Sequence, residues 1–222
     1  HGRTRGLRQE KPGQTGARGK RADQSRAAGE RRCPRLPLDD GAAEALAANR
    51  FDEAVQLYRQ AIAAGSLQAS VKFAELCYRN DSKQVVDPTE CQQQLLQAAD
   101  SDYVPALHLL HFLHRSGQFG KANQVKMAEL HRLIAMMTEP GQAELQLSRY
   151  YYNKNFVGTD PTQGDFWLQQ ASTQGMSDAR AFWLLSEHEK KRLSESKFNQ
   201  QLQQLAEQGG SAASYLYASQ IM

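Results

Sequence analysis

A short pattern of small and turn-forming residues recurs along this chain at a nearly constant interval. A small residue, replaced once by leucine, is followed four positions later by a turn residue and four positions further by an alanine. The copies are Ala61–Gly65–Ala69, Ala98–Asp102–Ala106, Ala135–Glu139–Ala143, Ala171–Gly175–Ala179 and Leu205–Gly209–Ala213. Successive closing alanines are 37, 37, 36 and 34 residues apart. Such an interval predicts a repeat architecture in which each unit is one supersecondary structure.

Each unit is predicted to be a pair of helices joined by a turn. A large apolar residue stands four positions after each closing alanine, namely Phe73, Leu110, Leu147, Trp183 and Tyr217. Small residues let two helices approach and large ones fill the groove between them. We expect helices at about 40–49, 51–64, 67–79, 88–99, 104–116, 120–137, 141–153, 161–173, 177–190, 195–207 and 211–220.

Two tetrapeptides give further support for helix starts. Asp87-Pro88-Thr89-Glu90 and Asp160-Pro161-Thr162-Gln163 lie 73 residues apart, which is two periods. Aspartate is a good N-cap, and proline suits the first helical position. Glu90 and Gln163 stand where a capping box places its acidic or amide residue.

The fold that follows is all-α, an α-solenoid of about five helix-turn-helix repeats over residues 37–222. One repeat cannot bury its own apolar face, so stability must come from the stacking of neighbours. Residues 1–36 differ in composition, because they carry 11 Lys or Arg and 3 Asp or Glu and almost no apolar residues. We expect this basic segment to be disordered, since it cannot bury enough surface to offset chain entropy.

The repeats resemble those of the Sel1-like family, a subclass of the tetratricopeptide superfamily. The copy that resembles it most has Ala143, Leu147, Tyr151, Val157, Gly158, Asp160, Phe166, Trp167, Ala171, Gly175 and Ala179. The first hairpin is more similar to an ordinary tetratricopeptide unit, with Ala47, Phe51, Ala54, Tyr58 and Ala61. The resemblance implies adaptor work, and the architecture is similar to bacterial scaffolds that include envelope lipoproteins of exopolysaccharide (alginate) export.

Residues that could carry chemistry are few. His108, His111 and His114 share a predicted helix, with His131 on the next, and residues three apart on a helix can share a metal. No carboxylate or thiolate stands at matching positions, so we expect partly exposed helix histidines and no metal site. The chain lacks a nucleophile elbow and a phosphate-binding loop, and we expect neither enzymatic activity nor a cofactor.

Two cysteines flank one predicted loop. Cys77 ends one helix and Cys91 begins its partner, so they form either a disulfide or two buried thiols. A disulfide would imply an oxidising compartment. We favour the periplasm or cell envelope over the cytoplasm, although residues 1–36 contain no signal-peptide pattern. No stretch of about 18 apolar residues is present, so no membrane span is expected.

Consecutive tyrosines at 150–152 cover more than half of a helix circumference, so at least one should face outward. Exposed tyrosines are frequent anchors at binding surfaces. We choose Tyr152, with Arg149 and Lys154 beside it, as candidate partner-binding residues.

Three functions remain open at this point. The first is a non-catalytic scaffold for a protein partner, in the assembly of a bacterial envelope complex. The second is a component of exopolysaccharide biosynthesis or export. The third is association with nucleic acid through the basic segment, which is disfavoured because no aromatic residues alternate with its arginines.

Overall fold

Eleven helices make up most of the chain in the computed structural model, which describes residues 37–79 and 86–221. They are α1 (Pro37–Ala47), α2 (Phe51–Ala63), α3 (Leu67–Cys77), α4 (Pro88–Asp100), α5 (Val104–Arg115), α6 (Gln124–Met137), α7 (Gln142–Tyr152), α8 (Pro161–Thr173), α9 (Ser177–Glu189), α10 (Glu195–Glu207) and α11 (Ser211–Ile221). The predicted all-α fold of helical hairpins is confirmed. The expected disorder of residues 1–36 lies outside the described residues and stays a prediction.

A helix-terminating turn explains the recurring sequence pattern. The Ser66 N–H donates to the Ala61 carbonyl (2.9 Å), and the Gly65 N–H donates to the Ile62 carbonyl (2.8 Å). These two bonds form a Schellman motif, which needs a left-handed residue, and Gly65 has a φ of 88°. The same pair of bonds recurs at the turns formed by Asp102, Gly175 and Gly209. The sequence repeat therefore marks where one helix stops and the next begins.

The third copy departs from this pattern, and its predicted register is wrong. Ala135 is exposed, while its neighbour Ile134 is fully buried. The left-handed residue is Gly141, with a φ of 82°, rather than Glu139. Glu139 precedes Pro140, and a residue before proline is biased toward extended backbone. The turn therefore forms later, and the small residue no longer faces the core.

The predicted N-caps are confirmed at both tetrapeptides. The Asp87 carboxylate accepts from the Thr89 N–H at 2.8 Å, and Asp160 accepts from the Thr162 N–H at 2.9 Å. The predicted role of Glu90 in a capping box is wrong. Its carboxylate forms a two-bond ion pair with Arg59 on α2, at 2.7 and 2.9 Å, and so ties α4 to the preceding hairpin.

The start of α6 also differs from the prediction. We expected α6 to start at about 120, but it starts at Gln124. Gly120 has a φ of 89°, which interrupts helical backbone, and the Asn123 side chain accepts from the Lys126 N–H at 3.0 Å. A side-chain cap of this kind defines the first turn of a helix.

Successive helices pack against one another along the whole described chain. The first helices of the hairpins also form a row, in which α3 packs on α5, α5 on α7, and α9 on α11. Buried apolar side chains form four groups along the stack, within α1–α4, α3–α7, α7–α9 and α9–α11. The group at α7–α9 is the smallest and consists of Leu145, Leu168, Ala171 and Ala179. The core is therefore continuous but narrows between α7 and α9.

Candidate partner-binding groove

A groove with a volume of about 500 Å³ lies between α7 and α9, with α8 beneath it. Its walls are formed by Leu145, Ser148, Arg149, Tyr152 and Asn153 from the α7 side, Leu168 from α8, and Phe182, Leu185, Ser186 and Glu189 from α9. The groove lies where the row of first helices opens, because α7 and α9 contact each other less than α5 and α7 do. We call this site the α7–α9 groove.

Each wall is a single face of the first helix of one repeat. On α7 the lining residues 145, 148, 149 and 152 have the spacing of one helix face. On α9 the lining residues 182, 185, 186 and 189 have the same spacing, and each stands 37 residues after its counterpart. This offset is one residue longer than the interval of 36 between Ala143 and Ala179, so the two faces share a spacing but are not the same positions of the repeat.

Of the three residues predicted to bind a partner, the structure places two in the groove. Arg149 is exposed, and its Nη1 lies 3.3 Å from the Gln146 side chain. Tyr152 is half-buried rather than outward-facing, and none of the three tyrosines is fully exposed. Lys154 is exposed but follows the end of α7 and does not line the groove.

The Tyr152 hydroxyl belongs to a polar network at the groove wall. It donates to the Asp165 carboxylate at 2.5 Å, and the Ser186 hydroxyl donates to the same oxygen at 2.8 Å. Lys190 forms an ion pair with Asp165 and also donates to Ser186. Burial raises the pKa of Asp165, but the hydrogen bonds from Lys190, Tyr152 and Ser186 outweigh it and hold that pKa below its ordinary value. The network therefore locks α7, α8 and α9 together around a charged carboxylate.

A glycine within α8 gives the Tyr152 ring its place. A Cβ atom added at Gly164 would lie 3.0 Å from two ring carbons of Tyr152, closer than ordinary van der Waals contact. Glycine in a helix costs about 1 kcal/mol relative to alanine. We infer that this cost is offset by the close approach of the ring, which brings the hydroxyl within reach of Asp165.

Sequence reasoning missed Asp165 and the whole α9 wall. The repeat did not signal the wall, because its interval of 36 between Ala143 and Ala179 carries Tyr152 to His188 rather than to Glu189. For Asp165 there is no sequence signal either, since its partners are brought together only by the stacking of three helices.

Cys77 and Cys91 are joined by a disulfide in the structure, with their Cα atoms 6.5 Å apart. This separation lies within the range found for protein disulfides. The bridge connects the end of α3 to the first turn of α4. Cys91 is fully buried, whereas Cys77 is half-buried.

The histidines differ from the prediction. His108 and His111 are each only 3% exposed, so the expectation of partly exposed helix histidines is wrong for these two. The reason is that α5 is buried at every position from Ala106 to Leu113, between neighbouring helices. Within residues 37–79 and 86–221, no three His, Cys, Asp or Glu side chains are arranged to hold a metal ion. No helix in these residues is both long and apolar enough to cross a bilayer.

Comparison with known proteins gives a fold likeness only. No family model matches the chain, and no curated protein matches it. A Sel1 repeat protein from Oxalobacter formigenes is similar in structure, with 16% identity, a TM-score of 0.46, and coverage of 89% of this chain and 86% of that one. A protein from Klebsiella pneumoniae described as a putative sel1 repeat protein has 19% identity, a TM-score of 0.48, and coverage of 74% and 97%.

A third similar structure is a protective antigen of uropathogenic Escherichia coli with an SLR fold. It has 19% identity and a TM-score of 0.34, and the match covers 91% of this chain and 49% of the antigen. These solved structures are Sel1 repeat proteins, the family that the repeats of this chain resemble. At such identities the likeness concerns the fold alone.

Proposed function

We propose that this chain is a non-catalytic scaffold that holds a protein partner in the α7–α9 groove. The observation that supports the proposal most directly is the groove itself, formed by one face each of α7 and α9 where the row of first helices opens. Binding sites in repeat arrays form on surfaces that successive repeats share. The groove volume of about 500 Å³ is enough for side chains of an inserted segment.

The lining of the groove defines the chemistry of the partner. Leu145, Leu168 and Leu185 offer an apolar floor for an aliphatic or aromatic side chain. Arg149 on one wall and Glu189 on the other have opposite charges. A segment that places an acidic group toward α7 and a basic group toward α9 would therefore bind in one orientation, because charge pairs at an interface set register.

Photocrosslinking at the groove tests this proposal. A photoreactive phenylalanine analogue at Leu185 should crosslink one partner, whereas the same analogue at Tyr215, which is 76% exposed on α11, should not. Arg149→Glu should lower the crosslinking yield at Leu185, and the purified partner should bind this variant about tenfold more weakly, a typical loss for one charged contact. Equal yields at the two positions, or a yield unaffected by Arg149→Glu, would contradict the groove assignment.

The compartment is a further part of the proposal. The Cys77–Cys91 bridge supports an oxidising location, because disulfides persist in the periplasm and outside the cell. We therefore propose that the scaffold works in assembly of an envelope complex. No described residue favours exopolysaccharide export over other envelope work, and the nucleic-acid alternative rests on residues 1–36, outside the described part. Both remain predictions from the sequence.

Fractionation of the native host, with thiol labelling, tests the compartment. The protein should be recovered with the envelope or periplasm, and Cys77 and Cys91 should label only after reduction. Recovery in the cytoplasm with both thiols labelled before reduction would contradict the envelope proposal and leave the groove proposal intact.

A further inference from the structure

A second cavity, with a volume of about 430 Å³, lies between α5, α6, α7 and α8. Its lining consists of His111 and Arg115 from α5, Met127, Ala128 and His131 from α6, Tyr151 from α7, and Gln163, Phe166 and Trp167 from α8. We call it the aromatic cavity. Four helices from two repeats contribute to it, so it depends on the assembled stack.

The walls of the aromatic cavity are held in place by ring contacts and one ion pair. The Trp167 ring lies 5.1 Å from His131 and 5.6 Å from His111, measured between ring centroids. Phe166 packs edge-on against Trp167 at 5.1 Å and is 48% exposed. The His131 Nε2 lies 3.0 Å from the buried Glu144 carboxylate. This arrangement gives a preformed aromatic surface, as is typical of ligand pockets.

The Trp167 indole N–H lies beside the Tyr151 hydroxyl at the cavity and donates to it. The hydroxyl proton of Tyr151 and the His111 Nδ1 have no hydrogen-bond partner among the described residues. Tyr151 is 1% exposed and His111 is 3% exposed. An unsatisfied buried polar group costs about 1–3 kcal/mol, and native proteins contain few of them. The hydroxyl proton of Tyr151 is therefore free to pair with an acceptor on a ligand.

The exposed charge at the rim of the cavity is positive, whereas the buried Glu144 carboxylate is paired with His131. Arg115 is exposed at its rim, and no carboxylate of the described residues forms an ion pair with it. Its charge acts on both His111 and Tyr151. Burial, with help from His131, lowers the pKa of His111 to about 3, so that ring is neutral at pH 7. Asp160 also acts on Tyr151, but its carboxylate is engaged in the N-cap of α8.

We infer that the aromatic cavity binds a carboxylate attached to an aromatic or apolar body. The Arg115 guanidinium and the Tyr151 hydroxyl are donors, and a carboxylate is an acceptor that carries a charge opposite to that of Arg115. The rings of Phe166 and Trp167 provide the surface on which the body of the ligand packs. The carboxylate comes either from a free acid or from the C-terminus of a peptide. This inference does not depend on the α7–α9 groove.

Tryptophan fluorescence and calorimetry test the inference in the full chain. Trp183→Phe leaves Trp167 as the fluorescent reporter, because the chain has two tryptophans. The probes are 3-phenylpropionate, its amide, and a pentapeptide ending in phenylalanine with a free or an amidated C-terminus. We expect the acid form of at least one pair to bind with a dissociation constant below about 1 mM and its amide to bind at least tenfold more weakly.

Two variants and a control complete the test. Arg115→Gln should weaken binding of the acid at least tenfold, and Tyr151→Phe should weaken it several-fold while circular dichroism shows an unchanged fold. Arg149→Gln, in the other groove, should leave binding unchanged. Binding of the peptide acid alone would assign the carboxylate to a peptide terminus, and binding of phenylpropionate with equal strength would assign it to a free acid. Equal binding of acid and amide, or no binding of any probe, would overturn the inference.

Discussion

Acidification should destabilise the fold through two buried histidines on α5. Burial lowers the pKa of His108 to about 4 and that of His111 to about 3, from an ordinary value of 6.5. In the unfolded chain both rings take up a proton below pH 6.5, whereas in the folded chain they stay neutral until much lower pH. Above pH 6.5 both rings are neutral in the folded and in the unfolded chain, so they cost no stability. Stability is lost as the pH falls from about 6.5 toward the pKa values of the folded chain.

The magnitude follows from the number of protons taken up on unfolding. Each group contributes at most about 1.4 kcal/mol per pH unit, so the two histidines together approach about 2.7 kcal/mol per pH unit near pH 5 and less on either side. A domain of ordinary stability, about 5–15 kcal/mol, would lose a large part of it between about pH 6 and pH 4. The Glu144 pKa is lowered to about 2 from 4.5, so that group adds a further loss only below pH 4.5.

Urea unfolding followed by circular dichroism, with hydrogen exchange of the α5 amides, measures this slope between about pH 5.5 and pH 4.5. His111→Phe removes one titrating ring, and its Nδ1 has no hydrogen bond to lose. The slope should fall to about 1.4 kcal/mol per pH unit in this variant. His188→Phe, on α9 where the ring is half-buried, is the matched control. A stability that does not change with pH in this range, or a slope unaffected by His111→Phe, would refute the reasoning.

Three further predictions concern the turns and the core. The Cys77–Cys91 bridge closes a loop of 14 residues in the unfolded chain, so its reduction should lower the free energy of unfolding by about 3 kcal/mol; a urea midpoint unaffected by reductant would contradict this prediction. Gly164→Ala should destabilise the fold despite a gain of about 1 kcal/mol in helix propensity, because the added Cβ would lie 3.0 Å from the Tyr152 ring. A stabilised variant would show that the ring moves aside. Ala98→Leu should cost about 1–3 kcal/mol, whereas Ala135→Leu should change stability by less than about 0.5 kcal/mol; equal costs would contradict the shifted register.

The repeat architecture could be predicted from the sequence because it depends on local chemistry. A Schellman turn needs a left-handed residue at a set distance from the end of a helix, and Gly65 or Gly175 records that need directly. Asp87 and Asp160 likewise record the starts of helices. These requirements act within a few residues, so a periodic sequence reveals them without knowledge of the packing.

The predictions that were wrong concern residues whose burial depends on contacts between helices. Ala135 fits the spacing of the repeat, but Pro140 displaces the turn and a different face of α6 turns inward. The histidines of α5 were expected to be partly exposed, yet α5 is buried at every position from Ala106 to Leu113. In the groove, Arg149 and Tyr152 could be chosen from the run of tyrosines and its neighbours, whereas the opposite wall depends on how α9 packs beside α7.

The small core group at α7–α9 has a mechanical consequence. Four buried side chains form it, and the polar network around Asp165 supplies a further connection between α7, α8 and α9. The α7–α9 groove opens at the same place, and a segment bound in it would touch both α7 and α9. Such a segment acts as a splint, because it adds its own contacts to those of Asp165 and the small core.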